Sequence, residues 1–458
     1  MRKKALLALM MAAILLLSGC ALIKKDQAVD DATEIIRMGD QVITKKEVLA
    51  QAEQELYSQY SMYSMFGYSY DVTDPENIEA AKTAAVDALK ESLTLAAKAK
   101  ELGLDQLSDE ELESVKTTAQ ANLDSIISSA KSYVEGGSEM DETALAEAAA
   151  KMAEEAGYSL DAYITQGTND AISAKLKEYA VKDVAVTDEE IQTEYDSRVE
   201  SHKSTYSESA GSWASAANNN STLYYTPAGV RRVKQILIKF KDEDKTAIDE
   251  AKSKLTEANT ALSTAQAKVD SAQSTVDAEG ISDEDKAKAE ETLAAAKQEL
   301  DEADKALLAA NQAVTDATDK AFANIDEKTD AVLAQLAEEG ADWQKIMDEN
   351  NEDEGMKNNE KGYAVAADMT GFDSAFVEAA MALEKPGDHS GKVKGSSYGY
   401  YIIRYESDET EGPVALDTVK EKISSSLLSS KQTEAWNAAK AEWVEAAGIK
   451  VDLNALKD

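Results

Sequence analysis

Two kinds of hydrophobic spacing divide this chain. From residue 75 to residue 182, apolar positions such as Ala85, Leu89, Leu93 and Ala96 recur every three or four residues, which predicts helix. A longer run of the same spacing starts at Ile248, Ala251, Leu255, Ala258, Leu262, Ala265, Val269, Ala272 and Val276. It resumes at Ala289, Leu293, Ala296, Leu300, Ala303, Leu307, Ala310, Val314, Ala317 and Ala321. Gly280 can end the first helix, and Ser282 with Asp285 can cap the second, so residues 241 to 324 are expected to form a long antiparallel coiled-coil hairpin. Alanine at every second seam position lets the helices approach closely, and the stretch from Ile248 to Val276 spans about 42 Å. The hairpin reads equally as a gripping arm or a spacer.

The second spacing is that of strands. Residues 233 to 238 (VKQILI) and 399 to 404 (GYYIIR) are short apolar runs rich in β-branched and aromatic side chains. Near the start, residues 35 to 44 (IIRMGDQVIT) alternate around a Gly39-Asp40 turn signal and predict a hairpin, after which Thr44 and Glu47 form a capping box. The box at Thr187 to Glu190 opens another helix. Residues 201 to 229, rich in Ser, Asn and Tyr and ending near Pro227, read as a linker. Pro227 and Pro413 flank the segment that holds both strands. Beyond Pro413 the chain is helical again through Val419, Ile423, Leu427, Trp436 and Trp443.

The extreme N-terminus changes the compartment. Arg2-Lys3-Lys4, an apolar run from Ala5 to Leu17 and the box Leu17-Ser18-Gly19-Cys20 read as a lipoprotein signal peptide covering residues 1 to 19. About 13 apolar residues are too few to span a bilayer, which needs roughly 20. Cys20 is then the lipidated first residue, residues 20 to 34 a polar tether, and the location the outer face of the cell membrane. Cys20 is the single cysteine, so once it is acylated the folded part is expected to have no disulfide, cysteine nucleophile or cysteine metal site. The net charge of −39 becomes −42 once the leader's three basic residues are gone, which argues against nucleic-acid binding. No HExxH motif, serine elbow or cofactor fingerprint appears, so neither a metal nor a cofactor is expected.

Between the two strands lie Gly340-Ala341-Asp342-Trp343, Lys361-Gly362-Tyr363, residues 376 to 383 (FVEAAMAL) and Lys385-Pro386-Gly387-Asp388-His389-Ser390. In that order, these motifs resemble a parvulin-type peptidyl-prolyl isomerase domain, and the N-terminal hairpin and capped helix resemble the opening of the PrsA and SurA chaperone families. The resemblance implies an α+β fold. A helical chaperone module is built from both chain ends, residues 35 to 200 and 408 to 458. A parvulin-like α/β domain is inserted over residues 230 to 407 and carries the hairpin 241 to 324 within it.

The resemblance also implies a site. Phe376, with Phe372 where the family often has methionine, falls on the proline pocket. Asp353 matches the family's cysteine or aspartate beside the reacting bond, although the loop 350 to 360 has one extra residue and Glu354 can serve instead. The family's two histidines fall at Gln235 and Tyr401, both able to donate and accept hydrogen bonds. His389 and His202 lie elsewhere and do not replace them. Rotation about an X-Pro bond faces a barrier near 20 kcal/mol, and its catalysis needs an apolar ring pocket and a polar frame rather than a nucleophile.

Two functions remain open. One is a lipid-anchored extracytoplasmic foldase assisting secreted proteins, with peptidyl-prolyl cis-trans isomerase activity from an altered site. The other is a non-catalytic holdase that uses the parvulin-like domain as a peptide-binding platform. The expected partners are unfolded or secreted polypeptides and proline-containing segments, with the membrane reached through the lipid, and a homodimer through the helical module is open. The stretch 57 to 70 (YSQYSMYSMFGYSY) reads either as a client-contact surface or as a buried helix start and loop. A two-lobed solute-binding lipoprotein would need regular strand and helix alternation, which is missing.

Overall fold

A computed structural model describes residues 27 to 134, 136 to 356 and 359 to 457. The expected leader, Cys20 and the first part of the expected tether lie outside the described residues. Packing divides the chain into two units, one of residues up to Val186 together with those from Ser424 onward, the other Thr187–Ile423.

The first unit is helical, with a small sheet joining both ends of the chain. Strands Glu34–Met38 and Gln41–Thr44 form the predicted hairpin, turned by Gly39 at φ +60°. Strand Lys450–Val451 pairs with the free side of the first, Ile36 opposite Val451, and the Asp452 amide donates to the Ile35 carbonyl at 2.9 Å. Ile35, Ile36, Val48, Ala85, Val86 and Leu456 form the core beneath it. The chain's return to its own beginning is therefore made by this strand, which follows the terminal helix Leu416–Ala446. Thr44 caps helix Lys45–Met65 as its capping box predicts, and Asp74 with Pro75 opens helix Pro75–Leu102, which Gly103 closes in the left-handed region. Helices Asp109–Ala130, Glu142–Glu155 and Leu160–Val181 follow, and Lys175 bridges to Glu111 at 2.7 Å. On helix Leu416–Ala446, Lys440 meets Glu91 at 2.9 Å, and Trp443 receives Lys98 over its ring.

Two expectations change here. The tether ends early, because Gln27–Asp31 is a helix and Asp30 meets the buried ammonium of Lys45 at 3.1 Å. A lysine 2% exposed needs such a partner, which folds a stretch that polarity alone marks as free. The Tyr and Met stretch is not buried: the helix runs to Met65, and Tyr57, Met62, Met65, Phe66 and Tyr68 are exposed. Leu456→Ala is expected to lower the stability of this unit by about 2 kcal/mol, since it removes a buried leucine at the joint of the two chain ends. The measurement is hydrogen exchange at the Ile35 and Ile36 amides.

The second unit is built on a four-stranded antiparallel sheet in the order Tyr363–Val365, Arg231–Lys239, Gly399–Asp408, Val393–Lys394. Alternation along the two central strands splits their apolar side chains. Val233, Leu237, Tyr401 and Ile403 face helix Ser374–Ala382, while Ile236, Ile238, Tyr400 and Ile402 face helix Trp343–Asn350 and the base of the helical hairpin. The hairpin is helix Asp242–Val276 followed by Asp283–Leu336, which runs past the expected end at 324. Its arms are antiparallel: Lys268 meets Glu299 at 2.5 Å, and Asn324 donates to the buried Asp244. Ala251, Ala258, Ala265 and Ala272 are buried along one arm, and Ala289, Leu293 and Ala296 along the other. Farther along, Phe322 and Ile325 leave this seam for the sheet core.

Residues 201 to 229 are not a linker. Helix Asp188–Tyr206 extends into them, helix Ala210–Asn218 follows, and strand Tyr225–Thr226 pairs with Gly412–Pro413. Trp213 is 3% exposed and its indole donates to the Tyr225 carbonyl at 2.7 Å. The Asn218 side chain exchanges both hydrogen bonds with the Ala364 backbone, at 2.9 and 2.8 Å, and so occupies the open edge of strand Tyr363–Val365. Gly211 packs so closely on Met369 that a Cβ would lie 2.5 Å from its Cα. Serine, asparagine and glycine read as loop composition, but here they permit close packing and cap a sheet edge. The packed unit is accordingly wider than the expected 230 to 407.

Candidate functional site

Of the five expected frame and pocket residues, Gln235 and Tyr401 sit on one face of the central strands, Phe376 on the helix that covers it, and Phe372 on the turn leading into that helix. In the register, Gln235 opposes Ile403 and Leu237 opposes Tyr401, so Gln235 and Tyr401 are diagonal neighbours with side chains on the same face. Phe376 is carried there by helix Ser374–Ala382, whose N-cap Asp373 also accepts from Ser396 Oγ at 2.8 Å. Phe372 lies just ahead of that cap, following Gly371 at φ +96°.

The fifth residue, Asp353, arrives on the loop after helix Trp343–Asn350. Asn351 and Glu352 pin that loop to the first strand: the Leu237 amide donates to Asn351 Oδ1 at 2.8 Å, and the Glu352 amide donates to the Leu237 carbonyl at 3.0 Å. The fixed loop places the Asp353 carboxylate 2.7 Å from Gln235 Nε2. Tyr363 donates its hydroxyl to the same oxygen at 2.9 Å, and the Gly355 amide donates to the other at 3.0 Å. The choice between Asp353 and Glu354 that sequence left open thus falls on Asp353 as the partner of Gln235.

The rings form a continuous edge-to-face series. Tyr363 meets Phe372 at 5.4 Å, Phe372 meets Phe376 at 5.7 Å, and Phe376 meets Tyr401 at 5.3 Å. Gln235, Phe376 and Tyr401 are 6%, 3% and 5% exposed, so the pocket in this state is filled by its own side chains, with Phe372 half-buried at its margin. Burial raises the Tyr363 hydroxyl well above the usual tyrosine range, helped by the Asp353 charge. Burial likewise raises Tyr401, with Asp373, Tyr398 and Asp353 adding to it. Both therefore stay neutral donors at physiological pH.

A hydroxyl whose pKa is higher folded than unfolded contributes stability that is complete below about pH 10 and is lost as pH climbs toward the folded value. Spectrophotometric titration should show Tyr363 and Tyr401 as the last tyrosines to ionise, with Tyr363→Phe and Tyr401→Phe each removing one of these latest-titrating groups.

Sequence reasoning missed Tyr363 and Asn351 as parts of the frame. Tyr363 belongs to the Lys361-Gly362-Tyr363 motif, but its reach to Asp353 depends on pairing across the sheet. His389 stacks on Trp343 at 6.0 Å on the other face, and His202 packs between Tyr206 and Tyr224, so neither joins the site. Among the described residues no group of acidic or histidine side chains is arranged to hold a metal ion, and no helix is long and apolar enough to cross a membrane.

No family model matches the chain. It is 35% identical over 112 residues to the foldase protein PrsA of Clostridium botulinum strain Langeland, a match covering 24% of this chain and 32% of the relative. It is 34% identical over 113 residues to the foldase protein PrsA of Clostridium kluyveri, covering 24% and 33%. The chain thus spans about a third of the length of the curated relatives it matches. Among solved structures, PrsA of Streptococcus pneumoniae aligns over 93% of this chain and 97% of its own, at 15% identity and a TM-score of 0.25. A structure from the SurA-like chaperones PEB4 and Cj1289 of Campylobacter jejuni aligns over 92% of this chain and 100% of its own, at 13% identity and a TM-score of 0.25. Scores this low carry no argument about shared shape.

Proposed function

We propose that this chain is a foldase that binds non-native polypeptides outside the cytoplasm, held at the membrane by a lipid on Cys20, with a parvulin-like unit formed around Gln235, Asp353 and Tyr401. The observation that carries the reading is the meeting of the Gln235 amide and the Asp353 carboxylate at 2.7 Å beside the Phe372, Phe376 and Tyr401 rings. Those residues are far apart in sequence, and the resemblance to parvulin domains assigns them to one site. The partial similarity to foldase proteins supports the same direction.

In the catalytic form of this reading, Phe372 and Phe376 hold the proline ring while Gln235 and Tyr401 stand in for the family's histidines. Burial of Gln235, Phe376 and Tyr401 favours the second form, a holdase whose parvulin-like unit binds peptide without isomerising it. A cis-trans exchange assay on X-Pro peptides, comparing residues 20 to 458 with Phe376→Ala, separates the two. Catalysis lost in the variant supports the isomerase. No catalysis, with suppressed aggregation of an unfolded client, supports the holdase. Failure of both activities rejects the foldase reading.

A further inference from the structure

We propose that Gln235 and Tyr401 together read one secondary peptide amide, so that the site selects an N–H-bearing peptide bond over the X-Pro bond. The inference rests on the peptide-binding reading above and names its ligand chemistry.

A carboxylate can only accept, so the Asp353 oxygen 2.7 Å away requires the amide nitrogen of Gln235 to face it. The side-chain oxygen is thereby turned the other way as a fixed acceptor. Gln235 is 94% buried, and that oxygen has no hydrogen-bond partner among the described residues. A buried acceptor left without a donor is costly, and a native site that keeps one calls for a donor from outside the chain to explain it. Diagonally across the sheet, Tyr401 presents a hydroxyl that makes no hydrogen bond to a described residue. Diagonal positions on adjacent strands lie about 7–8 Å apart, within reach of two long side chains converging on one small group.

The pair is an acceptor beside a donor. A secondary amide matches it, with its N–H donating to Gln235 Oε1 and its C=O accepting from the Tyr401 hydroxyl. A tertiary X-Pro amide has no N–H and leaves the glutamine oxygen unpaired. Two histidines could change tautomer to suit either amide, whereas Gln235 is locked by Asp353, which Tyr363 and Gly355 hold in turn. Phe372 is the half-buried member of the aromatic series beside this pair, in edge contact with Phe376.

The test uses the protein from residue 20 onward and three fluorescein-labelled peptides identical except at a central alanine, N-methylalanine or proline. The alanine peptide is expected to bind about tenfold tighter than the N-methyl peptide, the usual cost of stranding a buried acceptor. Gln235→Leu should abolish that ratio, while Tyr401→Phe should weaken the alanine and N-methyl peptides alike, because both retain the carbonyl. Equal binding of the alanine and N-methyl peptides by the unaltered protein, preference for proline, or binding of none of the three overturns the inference, and these arms do not depend on a variant folding. Aggregation suppression of an unfolded client is read in parallel. If it persists while the peptide ratio is absent, only this inference fails; if it is also lost, the foldase reading fails with it.

Discussion

Trp213→Ala should destabilise the second unit by about 3–5 kcal/mol, the range for removing a large buried aromatic side chain. Trp213 is 3% exposed in the cluster that includes Val233, Met369, Phe376 and Tyr401, its indole donates to the Tyr225 carbonyl, and Arg232 lies over its ring. The residue belongs to a stretch whose composition reads as linker, so the size of the effect is the test. Hydrogen exchange at strand Arg231–Lys239 in the full chain would register it. A change within 0.5 kcal/mol would show that helix Ala210–Asn218 is not part of the folded unit. An exposed serine nearby, Ser221→Ala, supplies the surface control, expected to stay within ±0.5 kcal/mol.

Asp353→Ala should cost about 3 kcal/mol. Three donors converge on the carboxylate, from Gln235, Tyr363 and the Gly355 backbone, and removing it strands the buried amide of Gln235 and the hydroxyl of Tyr363. Asp353→Asn should cost closer to 1 kcal/mol, because its carbonyl oxygen still accepts. A double-mutant cycle of Asp353→Ala with Tyr363→Phe should give a coupling above about 0.5 kcal/mol, as expected for groups in one network. Strict additivity would mean that the network is not formed in solution. The same cycle read through peptide binding separates a site held by Asp353 from one that only folds around it.

Several local features were legible from residues alone. Capping at Thr44, Thr187 and Ser282 was recognisable because a side-chain oxygen three residues ahead of a matching amide satisfies helix-end donors within a few residues. The hairpin's seam could be read because helical periodicity repeats over many turns, and its alanines do become the buried line. The two central strands were legible as compact runs of β-branched and aromatic residues. Polar composition predicts free chain at 20 to 34 and 201 to 229, but residues 27 to 31 and much of 201 to 229 are folded. Lys45 and Asp30, and Asn218 with the Ala364 backbone, satisfy polar groups through partners that local sequence does not announce.

The sequence by itself determined the capped helices, the long helical hairpin and the two central strands, and nominated Gln235, Asp353, Phe372, Phe376 and Tyr401, because those facts depend on spacing, residue type and motif order. Tertiary structure alone decided that Asp353 rather than Glu354 meets Gln235, that Tyr363 completes the frame, and that the pocket is filled by its own rings. The difference is one of range. A cap or a helical seam is specified by residues a few positions apart, whereas the Gln235 to Asp353 contact joins residues 118 positions apart and exists only after the sheet register and the pinned loop have formed.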